Sequence, residues 1–138
     1  MKTDPRPARR TQAAVVLALA AALWMGLPPA AGAGVTARYA KIHRGACRLV
    51  LELTDPAPAT VILVQRFPPG TRLLEADPAP AGVDEARGRA KWLFKAGRTG
   101  KIRVRFRLEP PGATARLRGE IRYRDPATGR METREVAP

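Results

Sequence analysis

Residues 101–124, KIRVRFRLEPPGATARLRGEIRYR, restrict the fold of this chain more than any other stretch. From Lys101 to Glu109, Ile102, Val104, Phe106 and Leu108 alternate with Lys101, Arg103, Arg105, Arg107 and Glu109. From Ala113 to Arg124, Ala115, Leu117, Gly119, Ile121 and Tyr123 alternate with Arg116, Arg118, Glu120, Arg122 and Arg124. A period of two sends successive side chains to opposite faces of a strand, whereas a helix needs a period near 3.6. Each half therefore has one face to bury and one to leave in water, the signature of a half-buried antiparallel sheet. Pro110-Pro111-Gly112 between them is a turn signal. Pairing across it is expected to bring Arg103, Arg105, Arg107, Arg116, Arg118, Arg122 and Arg124 onto one sheet face, a candidate anion-binding surface.

The rest of the chain supports the same class. Ala46–Thr54 places Cys47, Leu49, Leu51 and Leu53 on one face, with Arg48, Val50, Glu52 and Thr54 on the other. Thr60–Phe67 (TVILVQRF) is nearly continuous in apolar residues, as a central strand would be. Shorter strands are expected at Gly34–Ala40, Thr71–Ala76, Arg89–Lys95 and Arg130–Val136. Asp77–Gly88 is a Pro/Gly/acid loop with room for one helical turn, and Ala96–Gly100 is expected to be a hairpin loop. No segment beyond residue 33 has a helical period, and the spacing of seven or eight strands predicts an all-β sandwich.

The first 33 residues differ in kind. Lys2, Arg6, Arg9 and Arg10 precede an apolar run from Ala13 to Leu27, and Ala31-Gly32-Ala33 follows Pro28-Pro29. A basic start, a short apolar middle and an Ala-x-Ala exit predict a secretory signal peptide cleaved near Ala33. The run has 15 residues, fewer than the roughly 20 that span a bilayer. Gln12 and Ala13 stand where a twin-arginine signal needs bulky apolar side chains, which favours the general secretory route. Residues 34–138 then form a single exported domain, periplasmic or extracellular. Net charge falls only from +13 to +10 when residues 1–33 are removed, and Lys41, Lys91, Lys95 and Lys101 are the only lysines among the remaining cations. Arginine binds carboxylates and phosphates through two parallel hydrogen bonds, so this bias suits an anionic partner.

Composition excludes several chemistries. The sequence has no serine and no asparagine, which removes serine nucleophiles and N-glycosylation. Cys47 is the only cysteine, so no internal disulfide forms; its register points it inward, as a small hydrophobe. His43 is the only histidine, four residues from Cys47 on an extended chain, too far for a catalytic pair. His43, Cys47 and Met131 are too few for a copper or zinc site. Asp84 and Glu85 share a loop, and Glu52 and Glu120 fall on outward faces, so no carboxylate pair flanks a cleft. No cofactor and no enzymatic activity are expected.

From Pro58 to Val136 the chain resembles the immunoglobulin-like conserved-repeat domains of bacterial and archaeal surface proteins. The likeness is carried by VILVQRFPPGTRLLEA, AKWLF, GKIRVRFRL and RGEIRYRDPATG. It implies an immunoglobulin-like sandwich of about seven strands that serves as a spacer, adhesive or assembly module without catalysis. This chain holds one copy of the pattern. The expected role is thus structural or interacting, with a protein partner in the cell envelope. The alternative is a binder of an anionic polymer or surface through its arginines: polysaccharide, lipid headgroups or nucleic acid. Nucleic acid is disfavoured, because Trp92, Phe94, Phe106 and Tyr123 all fall on inward positions and leave no ring for base stacking.

Overall fold

Alternating side chains require that every strand bury one face, and the chain meets this by stacking two antiparallel sheets. The computed structural model describes residues 34–138; the signal segment expected at residues 1–33, with its cleavage point, lies outside the described residues. Among the described residues there are nine strands. They are β1 (Val35–His43), β2 (Ala46–Leu53), β3 (Thr60–Arg66), β4 (Arg72–Asp77), β5 (Gly82–Asp84), β6 (Arg89–Lys95), β7 (Gly100–Glu109), β8 (Arg118–Arg124) and β9 (Met131–Val136). The four-stranded sheet runs β1-β2-β7-β4 and the five-stranded sheet β5-β6-β3-β8-β9. In space this is the layout of a variable-type immunoglobulin sandwich, four strands against five. The path through it differs. After the central strand β3 the chain crosses to the far edge of the other sheet as β4, returns as β5 and β6, then crosses again to β7.

The core lies between the sheets. Leu49, Leu51, Val104 and Leu108 from one sheet meet Val61, Leu63, Trp92, Ile121 and Tyr123 from the other, all essentially inaccessible. Trp92 and Phe106 touch across the gap with ring centroids 5.9 Å apart. Polar contacts cross it as well. The Tyr39 hydroxyl on β1 donates to Gln65 Oε1 on β3 at 2.7 Å, and Arg134 on β9 donates to the Val35 carbonyl on β1 at 3.3 Å. Gly119 makes room for the first of these. A Cβ there would stand 3.0 Å from both Gln65 Nε2 and the Tyr39 hydroxyl.

Four expectations are corrected. First, Pro110-Pro111-Gly112 does not close a hairpin. Residues Pro111–Arg116 form a 3-10 helix that carries the chain from β7 in one sheet to β8 in the other. Ala113 and Leu117 are buried there while Ala115 is exposed, whereas a continuous strand from Ala113 would bury all three on one face. Second, the 96–100 loop is likewise a crossing between sheets rather than a hairpin, since β6 and β7 do not pair. Third, the first strand runs on to His43 and turns tightly through Arg44 (φ 47°) and Gly45 (φ 80°) into β2. Positive φ at both central residues matches the twist of flanking strands. Fourth, the 77–88 loop has no helical turn; it holds β5.

Candidate anion-binding site

Because β7 and β8 belong to different sheets, the seven arginines read as one face are divided. Arg103, Arg105 and Arg107 lie on the outer face of the four-stranded sheet. Arg118, Arg122 and Arg124 lie on the outer face of the five-stranded sheet. Arg116 ends the 3-10 helix and belongs to neither. Each group gains neighbours that alternation in residues 101–124 did not reveal. On the four-stranded sheet, Lys41 stands opposite Arg48, which stands opposite Arg105, which stands opposite Asp77. On the five-stranded sheet, Arg89, Arg66 and Arg118 form a similar row. Like charges in register repel, and each row is relieved at one member by a carboxylate, Asp77 at Arg105 and Glu120 at Arg66.

The two faces differ in what surrounds their cations. Among the described residues, no carboxylate lies within ion-pairing distance of Arg38, Lys41, Arg48, Arg103 or Arg107 on the four-stranded sheet. Lys101 pairs with Glu52 at 3.2 Å, and Arg105 with Asp77 at 3.0 Å. Val50 faces outward between Arg38 and Arg103, yet is only 6% exposed. Arginine side chains can cover apolar surface in this way with their methylene stems while the guanidinium stays wet. A concavity of about 530 Å³ opens on this face, bordered by Lys41, His43, Arg48, Arg105 and Arg107, with Glu75 and Asp77 on the β4 side. Ala46, one of two alanines in its lining, sits in register between His43 and Arg107.

On the opposite face Glu120 lies among the arginines and pairs with both Arg66 and Arg122. Apolar side chains interrupt the charge there, with Leu93 52% and Met131 56% exposed. A second concavity of about 430 Å³ lies on that face, where Arg122 and Arg124 border it together with Ala59, Ile62, Pro126 and Met131. Arg89, Lys91, Lys95, Arg118 and Arg124 on that face also have no carboxylate within ion-pairing distance among the described residues, so the four-stranded sheet stands out by the continuity of its charge and not by its number of unpaired cations. It presents no aromatic ring outward: Tyr39 is bonded to Gln65, and Phe106 is buried.

His43 and Cys47 flank the hairpin turn, so their strand positions are close rather than distant: Ile42 pairs with Cys47 and His43 with Ala46. They are kept apart by facing opposite ways, His43 exposed and Cys47 3% exposed in the core. The acids also have structural partners. Asp84 Oδ1 accepts from the Arg87 amide at 3.1 Å, and Glu85 Oε1 from the Leu73 amide at 2.9 Å. Burial pushes the Cys47 thiol up to about 11. It also raises Tyr39 and Tyr123, with the Gln65 hydrogen bond opposing the shift at Tyr39 and Arg134 opposing it at Tyr123. These groups keep their protons in the fold and lose them more readily when unfolded. Their stabilisation is complete below the unfolded thiol pKa and drains away as pH rises through the folded one. Stability is thus expected to fall between about pH 9 and 11. Urea titrations across that window should show a shallower fall for Cys47→Ala, and a thiol reagent should label Cys47 only as fast as the domain opens. The chain matches no family model, no curated protein and no solved structure.

Proposed function

We propose that this chain is a non-enzymatic, exported interaction domain of the cell envelope whose contact surface is the outer face of the four-stranded sheet. Its partner is an anionic polymer, recognised by its charged groups. The observation that carries this reading is the cluster of five cations, Arg38, Lys41, Arg48, Arg103 and Arg107, that have no carboxylate within ion-pairing distance among the described residues, although Glu75 stands opposite Arg107 in register. They stand on three adjacent strands of one exposed face. A sandwich holds the backbone of such a face rigid, so the ordering entropy that opposes binding comes from the cationic side chains alone. With no ring to stack on sugars or bases, recognition rests on charge and is steeply salt-dependent.

Retention on heparin tests this. Neutralising three of the free cations together (Arg48→Gln, Arg103→Gln, Arg107→Gln) is expected to flatten the dependence of log affinity on log salt by about 2 units. The matched variant of the other face (Arg89→Gln, Arg118→Gln, Arg124→Gln) should leave the slope near that of the parent. Equal losses from both variants would mean that the arginines act as diffuse charge. Elution of the parent well below physiological salt would mean that they are simply solvated.

A further inference from the structure

We infer that the concavity over Ala46 is a seat for one tetrahedral oxyanion, a phosphoryl or sulfuryl group carried on the polymer. This rests on the reading of the four-stranded sheet as the contact surface and adds the chemistry that the surface selects. Three cations without an acid among the described residues border the concavity from three different strands: Lys41 on β1, Arg48 on β2 and Arg107 on β7. A fourth, Arg105, is paired with Asp77 at 3.0 Å on the β4 side. Glu75, opposite Arg107 in register, and Asp77, opposite Arg105, repel an anion away from β4 and toward Lys41 and Arg48 on β1 and β2.

Donors arriving from several directions match an anion with oxygens in several directions. A planar carboxylate uses one guanidinium fork and leaves the other donors unserved, whereas a tetrahedral group engages several at once. Alanine at position 46 leaves open the part of the concavity between His43 and Arg107, its neighbours in register, and the next outward residue along β2 is Arg48. A longer side chain at position 46 occupies that part without altering the charge of the face.

That separation of volume from charge defines the experiment. The described domain is titrated with polyphosphate, with polyglutamate of matched charge, and with inorganic phosphate, for the parent and for Ala46→Leu. The parent is expected to hold polyphosphate about tenfold more tightly than polyglutamate, about 1.4 kcal/mol. Ala46→Leu should abolish that preference while leaving polyglutamate within about twofold of the parent. Ala46→Gly, which keeps the concavity open, should retain the preference, and thermal melts establish that both variants fold. Equal affinity of the parent for the two polymers overturns the seat and leaves the anionic surface standing. No affinity for either polymer overturns both. Preference retained in Ala46→Leu also overturns the seat, because it places selectivity elsewhere on the face. Inorganic phosphate that competes at the same phosphoryl concentration as the polymer assigns the seat to the free ion; competition only at large excess assigns it to a polymer-borne group.

Discussion

Trp92→Ala is expected to remove about 3–5 kcal/mol of unfolding free energy, the largest loss for any single side chain of this domain. Trp92 is 1% exposed and projects from β6 into the gap between the sheets. There it meets Phe106 of the opposite sheet at 5.9 Å between centroids. Its indole Nε1 donates to the Pro78 carbonyl at 2.7 Å, directly after β4. One residue thus joins β6 to β7 through apolar contact and fastens the crossing from β4 to β5 through a hydrogen bond. Truncation leaves a cavity in the centre of the sandwich and a carbonyl without its donor. For a domain of this size the unfolding temperature should drop by roughly 15 °C or more. Far-UV circular dichroism is the measurement to use, since beyond residue 33 this is the only tryptophan and the variant has no indole signal. Trp92→Phe separates the two contributions. It retains most of the packing, so its deficit should be less than half that of alanine. A loss under about 1 kcal/mol for Trp92→Ala would show that the two sheets are not joined through this side chain.

Much of the fold was legible because alternation in a strand states directly which side chains are buried. Cys47, Leu49, Leu51, Leu53, Trp92, Val104, Phe106 and Leu108 all lie in the core where alternation places them. Period two assigns a face but not a neighbour, and this limit produced the main error. A β7–β8 hairpin and a β7–β8 crossing between sheets bury the same residues within each strand, so the alternation cannot separate them. The stretch Ala113–Arg116 continued the alternating pattern by chance, while its backbone is a 3-10 helix. The turn at Arg44-Gly45 was missed for another reason. Tight hairpins usually place Asn or Asp where φ is positive, and arginine at φ 47° gives no such signal.

The candidate site was legible only in part. The arginines of β7 were found, but those that complete the surface come from elsewhere: Arg38 and Lys41 on β1, Arg48 on β2. Arg48 was visible as an outward residue of its strand. Nothing in the sequence placed it beside Arg105, because cross-strand register depends on where the intervening turns fall. On β1 the register shifts between Tyr39 and Lys41, which interrupts the alternation and hides Lys41 from a period-two reading. The seat over Ala46 was not visible at all. An alanine becomes a concavity only when its neighbours on two other strands are long, a property of register rather than of local sequence.

Gly88→Ala is the second large effect expected, about 3 kcal/mol or more, although the substitution adds a single methyl group, at a buried position in a turn. Gly88 has φ +64°, where an L side chain is strained. A Cβ there would collide with the Phe67 carbonyl oxygen, and it would stand 3.0 Å from the Phe67 carbonyl carbon and 3.1 Å from that of Pro68. These are backbone atoms at the end of β3, which cannot swing away as a flexible side chain does. Relief would require breaking the hydrogen bond from the Phe67 amide to the Gly88 carbonyl, 2.9 Å long, and shifting Phe67, which is 5% exposed in the core. The disturbance would spread along a short path. Glu85 accepts from the Gly70 amide through its carbonyl at 3.0 Å and from the Leu73 amide through its carboxylate at 2.9 Å. The 84–88 turn therefore secures the start of β4, the strand that carries Glu75 and Asp77 along the edge of the anion seat. Gly97 supplies the control. It has φ +87° and open space where a Cβ would go, so Gly97→Ala incurs only the backbone term, about 1 kcal/mol. Urea unfolding of both variants isolates the collision as the difference between them, and faster amide exchange at Phe67 and Leu73 in Gly88→Ala would locate it. Equal losses at the two positions would mean that left-handed strain alone is at work and that the close approach of β3 to the 84–88 turn relaxes without consequence.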